Sequence, residues 1–107
     1  MNGLNLNKFE VFRVKANLQT QFIDNKKEYF NTPHIDIENL KTKICIYYIN
    51  ESDGDTLFFD NLENLNIVKK VEPKKGRLVI FDGDVFHAGQ HPLKSNKRML
   101  LNINYKN

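Results

Sequence analysis

A single cysteine, Cys45, stands among the 107 residues, so the chain cannot close an internal disulfide. Cys45 lies inside an apolar run and reads as a buried structural thiol. No stretch of eighteen apolar residues occurs, which excludes a membrane-spanning helix. The start, Met1-Asn2-Gly3-Leu4-Asn5, has no basic region leading into an apolar one, so no secretory signal is expected. With one thiol, this fits a reducing, cytoplasmic location and gives no reason to expect a membrane partner. A strong charge of one sign is also missing: 16 basic against 13 acidic residues leave a net +3. The paired lysines at 26–27, 69–70 and 74–75 are scattered and read as solvated surface, so nucleic acid is not an expected partner. No internal repeat or low-complexity segment appears. The length suits one domain over residues 1–107.

What the chain does have is short apolar or alternating runs between turn residues. From Phe9 to Leu18, Phe12, Val14, Ala16 and Leu18 share one face; Arg13, Lys15 and Asn17 take the other. That period of two marks a strand. Asp24 to Glu28 reads as a loop, and Pro33-His34-Ile35-Asp36 as a strand start or edge. Ile44 to Ile49 is apolar, β-branched and aromatic throughout, which predicts a central strand covered on both faces. Asn50 to Asp55 is a turn. Further strands are expected over Thr56–Phe59, Leu65–Val71, Arg77–Phe81, Val85–Ala88 and Arg98–Tyr105, and Asn61–Asn66 has room for one helical turn. Tyr47, Leu78 and Phe81 are expected in the core. The fold class is therefore all-β: a double-stranded β-helix, or cupin-like jelly roll, of about eight short strands.

The most informative chemistry is His34-x-Asp36. Residues i and i+2 of a strand point the same way, so both side chains can reach one ion. His87, distant in the chain, supplies a third ligand if the fold closes. Two histidines and a carboxylate leave positions open for a chelating oxo-acid and O2, as in non-haem Fe(II) oxygenases. A structural zinc site would be fully ligated, usually by cysteines. A His-x-Asp pair alone is common by chance, but each of the three residues borders a strand and a turn-rich loop, where sites are carried. Arg98 opens the last strand. Pointing inward it would need an anionic partner and would suit a carboxylate; pointing outward it would be an ordinary surface ion pair. His91, beside Pro92, reads as surface loop.

His34-Ile35-Asp36, Cys45 to Asn50, Gly54-Asp55-Thr56, Glu72 to Phe81, His87 and Arg98 with its strand follow one another in a familiar order. In this order and spacing, from about Lys15 to the C-terminus, the chain resembles the 2-oxoglutarate- and Fe(II)-dependent dioxygenases, specifically the prolyl 4-hydroxylase-like branch. The resemblance implies that His34, Asp36 and His87 hold the iron. It implies that Arg98 and Tyr48 bind the distal carboxylate of 2-oxoglutarate, with Asn102 on the same strand face as Arg98. The cofactors implied are Fe(II), 2-oxoglutarate and O2, with ascorbate as a support. The implied reaction is oxidative decarboxylation of 2-oxoglutarate to succinate, coupled to hydroxylation of a protein side chain or small molecule.

The chain departs from the family in two respects. It begins almost at the barrel, without the helices that usually cover the outer sheet, so an apolar face open to homodimerisation is expected. The tryptophan often found near the end of the last strand is replaced by Asn104 or Tyr105. Two other readings stand beside the oxygenase. One is a non-catalytic cupin-like metal- or ligand-binding module; the other is a β-sandwich interaction protein.

Overall fold

The structure is a computed structural model and describes residues 10–21, 33–36, 41–61 and 63–106. Among the described residues seven strands run in order: β1 (Glu10–Thr20), β2 (Lys43–Tyr48), β3 (Thr56–Phe59), β4 (Ile67–Val71), β5 (Leu78–Asp82), β6 (Phe86–Gly89) and β7 (Lys97–Lys106). They form two antiparallel sheets, ordered β1-β7-β2-β5 and β4-β3-β6. This is the jelly-roll arrangement. No helix among the described residues is long and apolar enough to cross a membrane.

Alternation decides what each strand buries. On β2, Ile44, Ile46 and Tyr48 are buried, and Leu100 of β7 joins them; Val71, Val79 and Phe81 pack against this cluster. A second cluster forms on the small sheet from Leu57, Phe59 and Ala88, with Phe86 beside it. Burying each large apolar side chain contributes roughly 1.5–3 kcal/mol. The inward face of β7 is unusual, because it carries Arg98, Asn102 and Asn104 as well as Leu100, all buried. β1 lies antiparallel to β7 with Arg13 opposite Asn104, Lys15 opposite Asn102, Asn17 opposite Leu100 and Gln19 opposite Arg98. Opposed residues share a face. The polar half of the β1 alternation thus looks into the jelly roll, and Val14 and Leu18 look out.

Several expectations are corrected. β2 is covered on one face only: Tyr47 is 38% exposed and Leu78, its partner on β5, 58% exposed, so neither is core. Phe81 does pack against the core, edge-on to Phe58. Cys45 is half-buried rather than buried, and burial pushes its thiol pKa up. Val14, Leu18, Leu78 and Ile80 give the four-stranded sheet the exposed apolar outer face expected of it. The strand covered on both faces is β3, buried at all four positions. Pro33–Asp36 is not a strand; His34 alone bridges to His87. Within Asn61–Asn66 the Leu65 amide donates to the Asn61 carbonyl, a single turn that Asp60 clamps by accepting from Asn61 and Asn66. The loop expected over Asp24–Glu28, with Lys26 and Lys27, lies outside the described residues.

Polar clamps join the loops at the mouth of the roll. The Asp53 carboxylate accepts backbone N–H bonds from Leu93, Lys94 and Ser95. Asn50 accepts from the Met99 amide and donates to the Lys97 carbonyl. The start of β7, and with it Arg98, is thereby held against the β2–β3 turn.

Candidate metal centre

His87 reaches its place from β6, one residue before buried Ala88. The backbones of His34 and His87 exchange both hydrogen bonds, at 3.0 and 3.1 Å, and bring the rings to a centroid separation of 4.6 Å. Asp36 then turns its carboxylate back toward both. Its Oδ1 lies 3.2 Å from His34 Nε2 and 3.2 Å from His87 Nε2. The three candidate ligand atoms all fall within 4.8 Å of one another. The convergence expected from the sequence is therefore present. His91 is not part of this cluster.

The hydrogen bonding says what the cluster lacks. His87 Nδ1 lies 3.0 Å from the Val85 carbonyl oxygen, which can only accept, so Nδ1 carries the proton. In the neutral ring, the form that binds a metal, Nε2 is then a lone-pair donor. It is buried, has no hydrogen-bond partner, and faces a carboxylate oxygen. Two lone pairs at that distance repel unless a proton or a metal ion sits between them. A metal-ligating histidine characteristically gives its other N–H to a carbonyl in this way. The donor set of two imidazoles and a carboxylate therefore fits a divalent ion of the Fe(II) type.

Asp36 is prepared as an anion. Its carboxylate is 1% exposed. Burial opposes its charge, but in the metal-free site N–H donation from the His34 and His87 imidazoles, together with the Asn104 amide, outweighs that and holds the carboxyl well below the usual range. Asn104 is fully buried and donates Nδ2–H to Asp36 Oδ2 at 3.0 Å and to Asn102 Oδ1 at 2.9 Å. Arg13 Nη2 stands 3.6 Å from the same Oδ2. Both polar contacts from β1 and β7 engage Oδ2, leaving Oδ1 to the histidines.

A cavity of about 410 Å³ opens beside the cluster, with His34, His87, Asn102, Gln19, Thr56 and Arg98 in its wall. Arg98 is 3% exposed. Its guanidinium donates to the Gly54 carbonyl (2.8 Å), Gln19 Oε1 (2.6 Å) and Thr56 Oγ1 (2.6 Å), all neutral. Among the described residues it makes no ion pair. Burial pulls its pKa down, though arginine stays charged. Tyr48 is buried behind it, with its hydroxyl 2.6 Å from the same Thr56 Oγ1. The residue pattern left Arg98 open between an inward carboxylate-binding place and a surface ion pair, and the family resemblance implied the first. Arg98 lies inside, at one cavity with the His-Asp-His cluster.

A family model described as the 2OG-Fe(II) oxygenase superfamily matches residues 19–106. The chain belongs to the 2OG-Fe(II) oxygenase superfamily. No curated protein matches it. Membership implies Fe(II), 2-oxoglutarate and O2. Around the candidate site stand residues that the sequence reading did not single out for it: Asn104 against Asp36, and Gln19 and Thr56 against Arg98. The available signal was polar spacing on a buried strand. Arg98, Asn102 and Asn104 all fall on the even face of β7, where apolar residues would be expected, and the Arg13-to-Gln19 face of β1 opposes them.

Proposed function

We propose that this oxygenase uses His34, Asp36 and His87 to hold Fe(II), and Arg98 to grip the distal carboxylate of 2-oxoglutarate. On this reading it hydroxylates a protein side chain or small molecule in the manner of the prolyl 4-hydroxylase-like branch, from a single cytoplasmic domain. The observation that carries the reading is one cavity whose wall holds both an imidazole nitrogen without a hydrogen-bond partner, beside a carboxylate, and a buried arginine that among the described residues pairs with neutral groups alone. A ligand with a chelating 2-oxo acid at one end and a carboxylate at the other satisfies both. When bound, Fe(II) supplies O2 activation coupled to decarboxylation of 2-oxoglutarate, giving succinate and CO2.

The chain's own residues do the rest. The Val85 carbonyl keeps His87 in its ligating tautomer. Asn104 and Arg13 hold Asp36 from its far oxygen. Thr56 accepts from Arg98 and contacts the Tyr48 hydroxyl, so Tyr48 contributes at the distal-carboxylate end by fixing the groups that meet it. Ile46, Leu100 and Ala88 line the cavity with apolar surface that limits water.

With Fe(II), ascorbate and 2-oxoglutarate, the protein should form succinate even without its prime substrate, and His34→Ala should reduce that to background. Equal succinate from wild type and His34→Ala would refute the ligand assignment. Tight metal binding without turnover would favour the cupin-like binding module.

A further inference from the structure

Gln19 is the last inward-facing residue of β1 and stands opposite Arg98 in register. Its Oε1 accepts from Arg98 Nη1 at 2.6 Å. That contact fixes the amide's orientation, because a guanidinium only donates. The Nε2 of Gln19 must therefore be the other end, and it is buried without a hydrogen-bond partner. A buried unmatched donor is costly, and one in a binding cavity is explained when a ligand supplies the acceptor. Gln19 lies in the cavity wall with Arg98 and Thr56. The backbone is also kept clear here: a Cβ on Gly89 would stand 2.9 Å from Arg98 Nη1 and 3.0 Å from Gln19 Oε1. Glycine at this position lets the two side chains meet.

We propose that Gln19 is a second binding residue for the distal carboxylate of the oxo-acid cosubstrate, and that the Arg98–Gln19 pair selects 2-oxo dicarboxylic acids over 2-oxo monocarboxylic acids. This rests on the cosubstrate reading above. Arg98 supplies the charge, and the Gln19 amide, oriented by Arg98, supplies a neutral donor that a monocarboxylic oxo-acid leaves unmatched. Selectivity of this kind arises because a site built for a polar group penalises an analogue lacking it.

The test is calorimetry on Mn(II)-loaded protein with 2-oxoglutarate and with pyruvate, which keeps the chelating end and lacks the second carboxylate. Wild type should bind 2-oxoglutarate more tightly than pyruvate. Gln19→Leu should weaken 2-oxoglutarate by about tenfold or more and leave pyruvate unchanged, as expected for a lost hydrogen bond to a charged group. Gln19→Glu keeps an acceptor for Arg98 but replaces the donor with a negative charge; it should weaken 2-oxoglutarate further, again sparing pyruvate. It decides the question if Gln19→Leu fails to fold. Equal loss for both ligands, or no loss for either, overturns the role of Gln19 and leaves the oxygenase reading standing. Wild-type protein that binds Mn(II) but not 2-oxoglutarate overturns both.

Discussion

Asp36 shows how much one residue's surroundings determine. Its two oxygens have different tasks because different strands reach them. Oδ1 meets the histidines, while Oδ2 takes the Asn104 amide and the Arg13 guanidinium. Removing the Asn104 donor should free the carboxylate to rotate. Asn104→Leu is therefore expected to weaken Mn(II) or Fe(II) binding 10- to 100-fold, the usual range for groups that orient metal ligands, measurable by titration calorimetry. The depressed Asp36 pKa also makes folding pH-dependent. A carboxyl whose pKa falls on folding stabilises the folded state above its unfolded value of about 3.9 and loses that contribution as pH drops toward the folded value. Urea unfolding of chelator-treated protein should show stability falling below about pH 4. In Asp36→Asn that portion of the fall should be absent. The roles of Asn104 and Gln19 were not legible in the sequence. Each depends on a partner far away in the chain, Asp36 or Arg98, met only through the β1–β7 register or the bend at Asp36.

Elements were more legible than contacts. Alternation located β1, and unbroken apolar, β-branched and aromatic content located β2. An unbroken apolar run does not say that only one face is covered, and this is why Tyr47 and Leu78 were expected in the core. Nor did the residue pattern show that His34 would make a bridge rather than a strand, since one bridging pair leaves no periodic trace. The candidate cluster of His34, Asp36 and His87 was legible only as a coincidence of three residues at strand–loop borders, since a His-x-Asp pair alone is common by chance. At this scale β6 has a double task. His87 stands in the His-Asp-His cluster and Gly89 leaves room for Arg98 and Gln19. Gly89→Ala should crowd the carboxylate end and spare the metal end. Mn(II) affinity should stay within about twofold of wild type, while 2-oxoglutarate affinity falls by about tenfold, for about 1.4 kcal/mol. Loss of metal binding as well would mean that the strand, rather than the pocket, had been disturbed.

On the scale of the whole molecule, the jelly roll joins two sheets with opposite surface character. The inner faces carry the apolar clusters and the polar cavity. The outer face of the four-stranded sheet exposes Val14 and Leu18 on β1 and Leu78 and Ile80 on β5, at its two edges. Exposed apolar surface of this extent favours association. Sedimentation should show self-association rising with concentration, and Leu18→Lys with Ile80→Lys should return the protein to monomer without loss of metal binding. A wild type that stays monomeric at every concentration would show this face is not used by a second copy.

The account depends on a metal cluster and a carboxylate grip sharing one cavity. Its most direct test is anaerobic: add 2-oxoglutarate to the Fe(II)-loaded protein and record the visible spectrum. Chelation of the iron by the oxo-acid should give a charge-transfer band, and Arg98→Gln should raise the 2-oxoglutarate concentration needed to produce it without abolishing iron binding. Iron-loaded wild-type protein that gives no band at saturating 2-oxoglutarate would contradict the account.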